Sequence, residues 1–267
     1  MSLLAPVSTK QTLKNVIILG SGRCGTSMIS GLLAKQDYYM GQNLYAGTEG
    51  NPKGYFESWE INSINEDLLV QVLPKRPRLI GRWFFRDRFY YEQRWLGRLP
   101  VGTAIPSSQS INERIARQAE KQSFCYKDPR FPYTLPAWRP FLNNTVFICV
   151  FRNPGITAAS ILKACQTEPY LRSAYINTEV AVEMWTLKYR HILEVHRHSG
   201  EWLFMHYNQG FSEAGLDRLS TFLNTEVDRS FPDRQLDRSR PISDVQEETK
   251  RVYRELCDLA GYTEGMK

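Results

Sequence analysis

The sequence predicts an α/β protein, a single-domain parallel β-sheet flanked by helices on both faces. Three observations carry that expectation. Short apolar runs alternate with helix-period segments along most of the chain, as they do where strands are buried on both faces. One such run, "NVIILG" (15–20), passes through the Gly-rich stretch "GSGRCGTS" (20–27) into a helical pattern. A second, "TVFICVF" (145–151), rich in β-branched and aromatic residues, runs straight into "RNPGITAAS" (152–160).

The elements follow in order. Residues 15–20 read as a buried strand, and 26–35 as a helix with Met28, Ile29, Leu32 and Leu33 on its inner stripe. "DYYMGQNLYAGTEGNPKGYFES" (37–58) has the Gly, Asn and Pro of a loop, and its length suggests function. From Trp59 to about Val72 the apolar positions Ile61, Ile64, Leu68 and Val72 recur at helix spacing. Residues 73–108 mix Arg with Trp, Phe and Tyr without a clean period; 75–108 reads as an acceptor-site lid insertion, and its stretch 75–98 equally as a solvated face or as a patch for an anionic acceptor or lipid headgroup. "INERIARQAEKQ" reads as a helix, "SFCYKDPR" as a strand ending in a turn, and "PYTLPAWRPFLNN" as a short helix broken by prolines. After the strand at 145–151, Asn153 caps a helix that has Pro154 at its first position. A long helix over 177–198, the strand "EWLFMHY", the helix "SEAGLDRLSTFLN" and a terminal helix within 242–267 complete the order. Residues 1–14 read as an N-terminal arm and 15–267 as one domain.

Composition narrows the function. The chain has 267 residues, 42% hydrophobic and 23% charged, which is an ordinary globular balance. No apolar run approaches the length of a membrane span, and the N-terminus lacks the apolar core of a secretory signal. The five cysteines, Cys24, Cys125, Cys149, Cys165 and Cys257, are scattered and form no CxxC pair, so a reducing cytoplasm is expected and a disulfide framework or zinc site is not. A net charge of +6 favours an anionic ligand.

The loop says which kind of anion. Gly20 and Gly25 have the spacing of a nucleotide-phosphate loop, whose inward amides and helix N-terminus attract an anion. Such a loop ends in Lys then Ser/Thr when it serves ATP or GTP chemistry with Mg²⁺. Here Thr26 and Ser27 stand at those places, and Arg23 sits inside the loop, where it can fork onto the oxygens of a terminal anion. A Gly-rich turn without a ligand is the plain alternative. Farther on, Arg152 stands at a strand end with Ser160 two helical turns later. In such sheets ligands bind beyond the carboxyl ends of the strands, so both segments are expected to face one crevice.

Taken together, "RCGTS" and "RNPGITAAS", with "NPKGYFES", "YKDPR" and "FPDRQLDRSRP" in the expected order, resemble the segments of sulfotransferases that use 3′-phosphoadenosine 5′-phosphosulfate (PAPS), and above all their bacterial branch. The resemblance runs from about Asn15 to Pro241 and implies a P-loop-like nucleotide-binding architecture. It implies that the loop Ser21, Gly22, Arg23, Cys24, Gly25, Thr26 and Ser27 binds the 5′-phosphosulfate, and that Arg152 and Ser160 hold the 3′-phosphate. It adds Arg238 and Arg240 from a late basic loop. It casts Lys127 against the bridging oxygen and Glu57 as the general base, with Glu49, Asp128 and His206 as rivals. Where part of the family carries a histidine after the lysine, this chain has Pro129, and Cys24 replaces the usual serine.

The function so implied is sulfuryl transfer from PAPS to a hydroxyl or amine of a small-molecule or glycan acceptor, without a metal, releasing 3′,5′-adenosine bisphosphate. No nucleic-acid partner is expected, and a homodimer is the default assembly. The rivals are a small-molecule kinase using the same loop and an RNA- or nucleotide-binding module built on residues 75–98.

Overall fold

The computed structural model describes residues 13–77, 80–236 and 245–264. Arg238, Arg240 and most of the N-terminal arm lie outside the described residues. Four strands, β1 (Asn15–Leu19), β2 (Cys125–Lys127), β3 (Thr145–Phe151) and β4 (Glu201–His206), form one sheet in the order β2-β1-β3-β4. All three pairings are parallel, as the alternation of strand and helix predicts. The register sets Ile18 beside Lys127 and Ile148, so β2 ends one residue short of β1, and β3 runs two residues past β1 to end level with β4.

Alternation along β1 sorts the core. Ile17 and Leu19 point to one face, with Leu68, Trp138, Tyr189 and Leu256. Val16 and Ile18 point to the other, with Leu32, Leu33, Leu216 and Leu219. Every one of those side chains is fully or almost fully buried. Burial at roughly 25 cal/mol per Å² makes this two-sided core the main stabilising term.

The helices are α1 (Thr26–Leu33), α2 (Trp59–Leu69), α3 (Gly81–Phe84), α4 (Gln109–Ala119), α5 (Phe131–Trp138), α6 (Pro154–Thr167), α7 (Thr178–Arg190), α8 (Glu213–Leu223) and α9 (Glu247–Ala260). Asn153 caps α6 as expected, its side chain accepting from the amides of Gly155 and Ile156. The long helix expected over 177–198 changes character: after Arg190 it widens into a π-turn over His191–His196. The strand expected in "SFCYKDPR" is only three residues long, because Pro129 has no amide hydrogen to extend the ladder.

The segment 73–108 divides in two. Its first part keeps Ile80, Trp83 and Phe84 at the surface. Its second part is not a solvated face, since Arg94, Trp95 and Leu96 are buried; ahead of the exposed residues, Arg76 is buried too, its guanidinium donating to the carbonyls of Phe85, Arg86 and Ser173.

Candidate active site

The loop after β1 turns over the carboxyl edge of the sheet. Gly25 takes a left-handed φ of 99°, and a Cβ there would lie 2.3 Å from the ring of Tyr207. A Cβ on Gly22 would lie 2.4 Å from Trp95, so that indole roofs the loop. Arg23 also adopts a left-handed φ, 70°, a conformation that costs a non-glycine residue about 1 kcal/mol or more. No acidic residue occupies the first turn of α1, which leaves its N-terminal dipole uncancelled.

Two neighbouring residues of α7 support the loop and its roof from beneath. Tyr189 Oη accepts from the Ser21 amide at 3.1 Å and donates to Val150 O at 2.7 Å. Lys188, fully buried, donates to Trp95 O at 2.6 Å and Pro129 O at 2.8 Å. Burial, with the Arg130 charge adding to it, lowers its pKa to about 7.

A cavity of about 730 Å³ opens over this edge, and it gathers most of the residues singled out in the sequence. Gly22, Arg23, Gly25, Thr26 and Ser27 line it from the loop, Arg152 from just after β3, Ser160 from α6, Lys127 from the end of β2 and Glu57 from the loop ahead of α2. Arg23 Nε donates to Ser160 Oγ at 3.2 Å, joining two segments separated by more than a hundred residues. Arg152 is almost buried, with its guanidinium 4.3 Å from the ring centre of Tyr207.

Lys127 ends β2 with its ammonium against Glu57 Oε1 and 3.3 Å from Ser27 Oγ. Behind Glu57 stands a buried polar network. Asn62 donates to Glu57 Oε2 at 3.4 Å and to Asp128 Oδ2 at 2.8 Å. Arg130 joins Asp128 at 3.1 Å and Glu66 at 2.8 Å, and Glu66 takes Arg94 at 2.5 Å. Burial raises the Asp128 pKa; Arg130 opposes this and the Glu57 charge adds to it.

The loop 37–58 is a strap tied across the site. Arg23 Nη2 donates to Gly50 O at 2.9 Å, Asn51 Nδ2 to Ser27 Oγ at 3.2 Å, and Thr48 Oγ1 to Glu168 Oε1 at 2.9 Å.

Several candidates sit elsewhere. The Ser21 and Cys24 side chains are turned away from the cavity: both are fully buried, and Cys24 Sγ lies 2.6 Å from Ser21 O and 3.2 Å from Val150 O. The Ser21 amide is taken by Tyr189, so that residue presents neither of its donors to the cavity. Asp128 is buried behind the wall and engages Arg130. His206 is buried, stacked on Tyr262 at 3.7 Å, and burial, then the Arg152 charge, lowers its pKa to about 3. Glu49 is exposed at the cavity rim.

Sequence reasoning did not single out Asn62, Glu66, Trp95, Tyr207 or Glu168. One signal was available: in "EINSINEDLL" the polar residues Asn62, Asn65 and Glu66 recur at helix spacing on the same side as Ile61 and Leu69, which marks a buried polar cluster. Among the described residues, no group of three or more His, Cys, Asp or Glu side chains is placed to hold a metal ion. Nor is any described helix long and apolar enough to cross a membrane.

No family model and no curated protein matches the sequence. Among solved structures, the chain is similar to the sulfotransferase domain from the olefin synthase of Synechococcus PCC 7002, with a TM-score of 0.51 and 18% identity over 94% of this chain and 97% of that one. A sulfotransferase from Alicyclobacillus acidocaldarius also matches, with a TM-score of 0.45 and 14% identity over 94% and 96% of the two chains. The first likeness spans nearly the whole of both chains and is one of architecture, the parallel four-stranded sheet with helices on both sides. This chain has the α/β fold of a sulfotransferase domain.

Proposed function

We propose that the protein is a sulfotransferase that moves a sulfuryl group from PAPS to a hydroxyl or amine of a small-molecule or glycan acceptor. One observation carries the reading: Arg23 of the loop and Ser160 of α6 meet at 3.2 Å in a single cavity, with Arg152 on the same wall. Two separate cationic groups, one at each motif, suit a ligand with two separate phosphates.

The amides at the start of α1, with Arg23, Thr26 and Ser27, take the 5′-phosphosulfate; Arg152 and Ser160 take the 3′-phosphate. Glu57 removes the acceptor proton. The acceptor oxygen or nitrogen then forms a bond to sulfur as the bond from sulfur to the bridging oxygen breaks, and that electron pair passes to the departing phosphate. Lys127 and Arg23 neutralise the charge that develops there, and a barrier lowered by preorganised charge needs little further chemistry from the protein. Tyr45 and Tyr170 also line the cavity and would flank the acceptor. Five cysteines without disulfides suit a reducing compartment, the cytoplasm.

Thermal unfolding tests this against the rival ligands. Adenosine 3′,5′-bisphosphate at about 100 times its Kd adds roughly 2.7 kcal/mol of stability without added metal. Stabilisation by ATP–Mg²⁺ alone would favour a kinase, and by short RNA alone a binding module; either result would defeat the proposal.

A further inference from the structure

Helix α2 turns three polar side chains inward, and each has a different task. Asn65 Oδ1 accepts from Thr134 and Trp138, a packing role. Glu66 receives two guanidiniums. Asn62, 5% exposed, stands between two carboxylates. Its Nδ2 is 2.8 Å from Asp128 Oδ2 and 3.4 Å from Glu57 Oε2, while its Oδ1 accepts from Arg130 Nη1 at 3.0 Å. The partners fix the amide: carboxylates only accept and a guanidinium only donates, so the flipped orientation would set oxygen against oxygen.

The two oxygens of Glu57 are unequal. Oε1 is held by Lys127, whereas Oε2 has only the longer contact to Asn62 among the described residues. A carboxylate held at one oxygen turns easily about its last torsion, which has a broad potential. We propose that Asn62 is a positioning residue that fixes the plane of the Glu57 carboxylate, with Oε2 as the oxygen that receives the acceptor's proton, and insulates it from the charge of Asp128. This rests on the reading of Glu57 as the base. The charged and titratable groups around Glu57 are Lys127 and Asp128 at the end of β2, Arg130 beyond it, Lys188 of α7, Tyr45 and Tyr55 of the strap, and Tyr170 after α6. Asn62 alone among the described residues bonds both carboxylates. The two carboxylates face each other across the Asn62 amide; burial raises the Asp128 pKa against the opposing Arg130 charge, and the Glu57 charge adds to that rise.

The test is a ¹³C carboxyl NMR titration of the full chain, with Glu57→Gln identifying the signal. Asn62→Asp replaces the shared donor with an oxygen, and the Glu57 midpoint moves up by about one pH unit or more. Asn62→Ser keeps a neutral but shorter donor; it moves the midpoint the same way by less, and it covers failure of the aspartate variant to fold. In a transfer assay with PAPS and a panel of phenols and amines, both variants lower kcat tenfold or more and shift the acidic limb of the pH–rate profile upward. Both bind adenosine bisphosphate within twofold of the parent. A midpoint unmoved in the folded variants overturns the role of Asn62. A midpoint that moves in a protein whose parent transfers nothing from PAPS supports the Asn62–Glu57 coupling and counts against the sulfotransferase reading instead.

Discussion

Lys127 and Glu57 form an ion pair across the cavity wall, the lysine 2% and the glutamate 15% exposed. Neither can be changed without altering the charge the other meets. Glu57→Gln keeps an oxygen for the Lys127 ammonium but cannot take a proton. It should abolish sulfuryl transfer while leaving bisphosphate affinity within twofold, as single-turnover assays and calorimetry would show. Lys127→Met should cut transfer by about 10²–10³-fold, the loss seen when one preorganised donor is removed. It should also lower stability more than Glu57→Gln does, because it leaves a largely buried carboxylate without its cation, whereas glutamine still offers the lysine an oxygen.

Arg152 offers a cleaner measure of donor binding. It lines the cavity against Tyr207, and the proposed reaction gives it no proton to move. Arg152→Ala should weaken adenosine 3′,5′-bisphosphate by about 1.5–3 kcal/mol, the worth of a charge-assisted hydrogen bond, or roughly 10- to 150-fold in Kd. It should leave adenosine 5′-phosphate unaffected. Equal losses for both nucleotides would move Arg152 away from the 3′-phosphate.

Glu66 bears on stability. It sits between Arg94 and Arg130, with all three side chains at most 2% exposed. Removing the carboxylate strands two buried guanidinium groups. Glu66→Ala should cost about 3–5 kcal/mol or more, measured by urea denaturation. A cost below about 1 kcal/mol would mean that water reaches the cluster.

Acid should unfold the protein partly through its buried histidines. Burial lowers His206 to about 3 and His196 to about 4, against an ordinary value of 6.5. In both the folded value lies below the unfolded one, so the unfolded chain binds more protons below pH 6.5. Stability is therefore whole above that pH and declines as pH falls toward 4, each histidine adding up to about 1.4 kcal/mol per pH unit. His206→Gln should flatten the decline between pH 6 and 4. An unchanged slope would show that His206 titrates normally in the folded state.

Much of this could be read from the chain. β1, β3 and α6 carry strong local signals, an unbroken apolar run in each strand and the Asn-Pro start of the helix, and all three stand where those signals place them. The meeting of "GSGRCGTS" with "RNPGITAAS" followed from a general property of parallel sheets, that loops at the carboxyl ends share a crevice. What was hidden depended on distant contacts. Whether the cysteine of the loop faces a ligand or the core is settled by Val150 and Tyr189, more than 120 residues away. The Arg/aromatic stretch defeated pattern reading because Arg76 and Arg94, polar by type, are interior by partner. The widening of α7 at His191 left no trace in the periodicity.

The inward turn of Cys24 bears on how the protein meets oxidants and thiol reagents. Burial raises its pKa, so the nucleophilic thiolate is scarce there. Cys125 and Cys149 are sealed in the sheet. Maleimides, iodoacetamide and peroxide should therefore spend themselves on Cys165 and Cys257, which are only partly covered. A dye or spin label placed on those two would leave the Gly-rich loop after β1 untouched, and air oxidation of a stored sample should scar the surface before it reaches that loop.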